Sequence, residues 1–337
     1  GNKVFGSIVD FSENAVTRIA ADSHGQPLVT VTKGNDFPDE ADLADFNIDF
    51  DQRHLNEIVH EANRGNDSSR DFDDTSPRHL TSCDDGTVFD IMVVWSKLAE
   101  CKNSGLQSGC TLTSTTEANM VGLVELAVAE SNTAYEKSGI ELQLNLVHYY
   151  RHESYVESGV DTALVDITNS TDGIMDDVHT KRTEYGADLV SFLIEDTEYC
   201  GIAWLGPHKD LMFSVTKWDC ATGQYTFSHE IGHNLGCNHD KGTRECDENR
   251  GGGCLRVPRF SSADVTYDQF PLGSPENDNA RHIREVKDEV ASYYASKFCP
   301  TNKPGKYEQA RQLFHDIYKR MKETTGEEEF VIADAED

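Results

Sequence analysis

Apolar residues come in short alternating runs over the first 33 positions: Val4, Phe5, Ile8 and Val9, then 15–20, then Leu28, Val29 and Val31. Turn formers at 23–27 separate the last two runs. Such alternation predicts a small β-rich region. Positions 63–87 lose the pattern, are rich in Asp, Ser and Gly, and read as a polar linker. The near-continuous apolar run at 88–95 predicts a buried strand. Ser114 and Glu117 have the spacing of a capping box, and Met120, Leu123, Val124, Ala127, Val128 and Tyr135 then recur at helical spacing until Gly139. Positions 140–149 alternate, with Ile140, Leu142, Leu144 and Leu146 on one face. A helical region at 160–184 stops at Gly186, and strands follow at 188–194 and 211–216. Ile283, Val286, Val290 and Tyr293 mark a helix over 279–296.

Strand, helix, strand, helix, strand implies right-handed crossovers. The expected fold class is therefore α/β: a mixed, mostly parallel twisted sheet with helices packed on it, plus the small N-terminal β-rich region. Beyond Pro300 and Pro304 one more amphipathic helix carries Tyr307, Ala310, Phe314, Ile317 and Met321, and 327–337 is an acidic tail. The expected division is 1–62, 63–87, 88–298 and 299–337.

Chemistry is concentrated in one stretch, HEIGHNLGCNHD at 229–240. Residues four apart share a helix face, so His229 and His233 present two imidazoles to one point, as zinc sites do. Glu230 sits one residue along, within reach of a metal-coordinated water. Gly236 can take a positive φ and end the helix, after which His239 can return as a third ligand. Three protein ligands leave a fourth tetrahedral position open, the mark of a catalytic site. A helix beginning near Thr222 places His229 well inside it. The alternatives are a surface helix that happens to carry histidines, and a structural zinc site with Cys237 or Cys83 as fourth ligand.

These twelve residues resemble the metzincin signature, and Asp240 after the third histidine resembles the adamalysin/reprolysin-like branch. Cys83, Asp84, Asp85 and Gly86 before the strand at 88–95 are similar to the entry of the catalytic domain in bacterial and marine reprolysin-like proteases. The resemblance implies an α+β metzincin fold around a zinc-binding active-site helix. It implies a zinc-dependent metalloendopeptidase in which His229, His233 and His239 hold one catalytic Zn2+ and Glu230 is the general base. Asp240 and Gly236 then support the ligands from behind. Gly201, Ile202, Ala203 and Trp204 correspond to an edge strand to which a peptide or protein substrate adds through backbone hydrogen bonds. Residues 1–62 resemble a propeptide covering the site until it is removed. The alternative is an accessory sheet without an inhibitory role. Cys83 could reach the zinc as a latency thiolate or form a disulfide. Cys200 and Cys220 bracket the edge segment and are the first choice of disulfide, with Cys101 and Cys110 closing a local loop.

One family feature is missing. Metzincins place a methionine beneath the zinc histidines, in a tight turn after the third histidine. Here Met212 is followed by no methionine until Met321. Either the turn segment is absent from this chain, or Leu255 takes its place as an apolar floor. This departure keeps open a second reading, a degenerate, non-catalytic metzincin-like zinc protein that binds peptides or proteins.

Composition narrows the partners. A formal charge of −30 over 337 residues argues against nucleic acid, which needs a basic face. No apolar run approaches the roughly 20 residues that cross a bilayer. Nine cysteines without a CxxC pair favour disulfides over a thiolate metal site. The first residues carry no apolar signal core, so the expected secreted localisation rests on the cysteines and the resemblance. Calcium is a second candidate ion that no sequence pattern indicates, and nothing in the sequence sets an oligomeric state.

Overall fold

The computed structural model describes residues 5–10, 15–38, 86–196, 198–239, 254–255, 279–294 and 296–297, with backbone only at 238–239 and 254–255. The alternating N-terminal runs form an antiparallel sheet of β1 (Gly6–Asp10), β2 (Ala15–Ala21) and β3 (Pro27–Lys33), in that order. The main sheet begins at β4 (Val88–Ser96), followed by α1 (Lys97–Asn103) and α2 (Ser114–Lys137). β5 (Gln143–His152) comes next, then α3 (Val160–Thr168), α4 (Asp176–Tyr185), β6 (Leu189–Ile194), β7 (Gly201–Ala203) and β8 (Phe213–Lys217). The chain continues into α5 (Thr226–Asn234), the short strands β9 (Asn238–His239) and β10 (Cys254–Leu255), and α6 (Asn279–Val290).

The five-stranded sheet has the order β5-β4-β6-β8-β7. All its pairs are parallel except β7 with β8. β4 is an interior strand with helices on both faces, so both faces need apolar residues and simple alternation is lost. Phe89, Ile91, Val93 and Trp95 pack with α2, α5 and α6, whereas Met92 and Val94 pack with α3 and α4. The mixed, mostly parallel architecture expected from element order is the one observed.

Several boundaries differ from the sequence expectation for local reasons. The capping box belongs to Thr113 and Thr116 instead of Ser114 and Glu117. The Thr113 hydroxyl accepts from Thr116 N at 3.2 Å, and Thr116 Oγ1 accepts from Thr113 N at 2.9 Å. Thr113 already has the extended backbone an N-cap needs. The helical region at 160–184 is two helices, interrupted where Asn169 Oδ1 accepts from Thr171 N. β5 starts at Gln143, because 140–142 turn back on themselves with Leu142 N donating to Ile140 O. Residues 63–85 of the expected 63–87 linker, and the helix and tail beyond 298, lie outside the described residues.

The N-terminal sheet packs against α2. Asn119 Nδ2 donates to Ala21 O at 2.7 Å and Asp22 O at 3.1 Å. Glu130, on the same helix, accepts from the Ser7 hydroxyl and from Gly223 N at 2.8 Å. Burial pushes the Glu130 carboxyl up to about 7, against the lowering effect of both hydrogen bonds. The buried phenol of Tyr225 lies near it and is also raised.

A carboxyl raised on folding stabilises the fold fully below its unfolded value, and that contribution is lost as pH rises through the folded value. Glu130 should therefore cost on the order of 3 kcal/mol of stability between pH ~4.5 and ~7. Glu130→Gln retains a neutral hydrogen-bonding group. Urea unfolding across this window should show a smaller decline for the variant than for the wild type. Parallel curves would show that Glu130 does not titrate there.

Candidate active site

All nine residues of α5 are buried. Phe227, Ile231 and Leu235 line one side and join the core beneath the sheet. His229 and His233 share another side, with ring centroids 4.7 Å apart and planes at 88°. The helix begins at Thr226, four residues later than the expected Thr222. Tyr225 sits in the left-handed region at φ 61°, which stops the helix from extending backwards. His229 is thus only the fourth helical residue, and its N–H makes a 2.9 Å bond to Tyr225 O.

The end of α5 prepares the second imidazole. Gly236 has φ 89°, and an added Cβ would stand 2.5 Å from His282 Nε2 and 3.2 Å from Pro207 Cδ. The turn directs the Cys237 carbonyl back to His233 Nδ1 at 2.8 Å. A carbonyl only accepts, so Nδ1 carries the proton and Nε2 the lone pair, the tautomer a metal needs. Cys237 itself is buried, with Sγ 3.9 Å from Asn279 O.

The same turn leads into β9, whose backbone pairs in parallel with β10, setting Leu255 opposite His239. The His239 side chain, Asp240 and Cys83 lie outside the described residues. Among the described residues, no group of three His, Cys, Asp or Glu side chains forms a metal site. The donors present, two imidazoles on one helix face with one tautomer set by a carbonyl, fit zinc.

Glu230 is fully buried and lies against β7. A Cβ on Gly201 would stand 2.5 Å from Glu230 Oε1 and 2.9 Å from Cδ, so only glycine leaves room for this carboxylate. β7 is the outermost described strand of the sheet, and Gly201, Ile202 and Ala203 are all buried. The Trp204 side chain turns inward, its Nε1 donating to Thr168 Oγ1 at 2.7 Å. Cys200 and Cys220 form a disulfide, as do Cys101 and Cys110. The first ties the start of β7 to the segment after β8, where Lys217 N also donates to Cys200 O at 2.7 Å.

Asn234 is a site residue that sequence reasoning did not assign. Its Nδ2 donates to Trp204 O and Phe213 O, both at 3.0 Å, linking the helix to the base of the β7–β8 connection. Gly206 N adds a bond to His233 O at 2.9 Å. The available signal was an Asn on a helix position otherwise expected to be apolar.

Residues 121–240 match the family described as Metallo-peptidase family M12B Reprolysin-like. Over these residues the chain is similar to the reprolysin-like metallopeptidases. Three relatives are each named "Peptidyl-Asp metalloendopeptidase". The Stenotrophomonas maltophilia protein is 35% identical over 206 residues, covering 52% of this chain and 48% of the relative. That of Xanthomonas campestris is 34% identical over 200 residues, covering 52% and 47%. That of Pseudomonas aeruginosa is 34% identical over 169 residues, covering 44% and 25%. The chain spans about half the length of the first two. The reprolysin-like region ends at Asp240, so it includes the complete HEIGHNLGCNHD stretch.

Asn234→Ala removes the donor to two carbonyls inside the reprolysin-like region. It should lower unfolding stability by about 2 kcal/mol, the cost of leaving buried backbone acceptors without a partner. Urea denaturation measures this. A change below about 0.5 kcal/mol, the level of a neutral substitution, would show that the Asn234 contacts contribute little.

Proposed function

We propose that this chain is a zinc-dependent metalloendopeptidase. The observation supporting it most directly is the Glu230 carboxylate lying on the Cα of Gly201, next to a helix face that carries two imidazoles. His229, His233 and His239 would hold the metal, with Asp240 supporting the third ligand. When bound, zinc acidifies a coordinated water towards a pKa of about 7 and polarises the scissile carbonyl. Glu230 takes the proton of the attacking water on a carboxylate oxygen and passes it to the departing amine nitrogen.

A peptide pairing with the β7 backbone at Gly201 would bring its carbonyl close to Glu230. The Cys200–Cys220 disulfide and Asn234 hold opposite ends of that strand, which favours a fixed attack geometry. We extend to this chain the substrate class in its relatives' name, peptidyl-Asp bonds. A secreted location accords with the two disulfides, which persist in oxidising compartments.

Glu230→Ala should retain zinc and lose hydrolysis of an Asp-containing peptide, whereas His233→Ala should lose the zinc. A chelator should abolish wild-type activity. Gly201→Ala should keep zinc but lower turnover at least about tenfold, because its Cβ displaces the carboxylate. Metal analysis and a fluorogenic peptide assay read all four. Equal hydrolysis by wild type and Glu230→Ala would sink the catalytic assignment. Zinc retention without hydrolysis by the wild type would leave a peptide-binding protein.

A further inference from the structure

The N-terminal sheet grips the segment that leads into the zinc helix. Residues 218–225 run from the end of β8 to the start of α5. Within them, Cys220 is bonded to Cys200 beside β7, and Tyr225 O receives the His229 N–H. This one connection therefore anchors both walls that meet at Glu230.

Contacts from the N-terminal sheet are distributed along it. The Arg18 guanidinium lies 4.3 Å over the Trp218 ring. Val16 packs where a Cβ on Gly223 would be, and Ser7 meets Gly223 through Glu130. The other side of the grip is α2. Phe5 occupies the space above Gly122, which no residue with a Cβ could leave open, and Asn119 holds the end of β2. Arg18 is half-buried, and desolvation lowers its pKa against the pull of Asp219.

We propose that residues 5–38 are a clamp, a retained part of the catalytic unit that holds residues 218–225 and thereby the helix carrying His229 and Glu230, and that they are not a plug over the metal. Its consequence for catalysis rests on the peptidase reading, but its consequences for retention and zinc affinity do not. The clamp acts from the side of α2 and the connection, and its loss would loosen the N-terminal turn of α5, where His229 sits.

The test uses the full chain with a site-specific protease sequence inserted between residues 62 and 63. After cleavage the N-terminal fragment should co-elute with the remainder on gel filtration, with zinc affinity and peptide hydrolysis unchanged. In the cleaved chain Phe5→Ala, or independently Arg18→Met should the first variant misfold, should release the fragment and weaken zinc binding about tenfold. Release of the fragment by cleavage alone with zinc affinity unchanged would overturn the clamp. So would an activity gain on release, which is the behaviour of a plug. If no form hydrolyses peptide, the peptidase reading fails while co-elution and zinc affinity still decide the clamp.

Discussion

Burial of a polar helix is the constraint on which the rest of this structure depends. His229, Glu230, His233 and Asn234 lie within a nine-residue helix that is buried throughout. Polar groups removed from water must be matched by partners, or the fold loses several kcal/mol. For the His233 ring and the Asn234 amide nitrogen the surrounding elements supply these matches. Cys237 O meets the His233 ring, and Asn234 meets Trp204 O and Phe213 O. Gly201 yields the volume that the Glu230 carboxylate occupies. The same contacts that make the helix tolerable in the interior also set the geometry of the site.

The sheet around it is organised to hold that helix in place. Phe227, Ile231 and Leu235 seat α5 on the layer shared with α2 and α6, leaving its polar side towards β7. Arg182 does similar work at the other end of the strands. Its buried guanidinium donates to Ala187 O, Asp188 O and Lys209 O, tying the start of β6 to the approach to β8. Asp188 in turn accepts from Asp90 N and Tyr294 N, yet burial still pushes its carboxyl up to about 8. With Glu130 and Glu157, both raised to about 7 by burial, it forms a set of carboxyls that hold protons near neutrality. By linkage each of these raised carboxyls costs the fold stability as pH climbs from the ordinary carboxylate range through its raised value.

Much of the fold and part of the site were legible in the order of residues. Apolar periodicity located the strands and helices because each element buries one face or two, and that requirement is local. The four-residue spacing of His229 and His233 specified a shared helix face for the same reason. Helix ends were read less well. Thr113 caps α2 in place of Ser114, and α5 starts after Tyr225 instead of near Thr222, because backbone conformation outside the helix decides where it begins.

The sequence alone determined that two imidazoles and a carboxylate belong to one helix, and that a mostly parallel sheet surrounds it. Only the tertiary structure decided that Gly201 makes room for Glu230, that Asn234 joins the helix to the edge strand, and that the N-terminal sheet grips residues 218–225. Those contacts join residues from about 30 to about 200 positions apart, and no periodic pattern encodes them. They follow from which surfaces the packed elements bring together, a property of the whole arrangement and of no single segment.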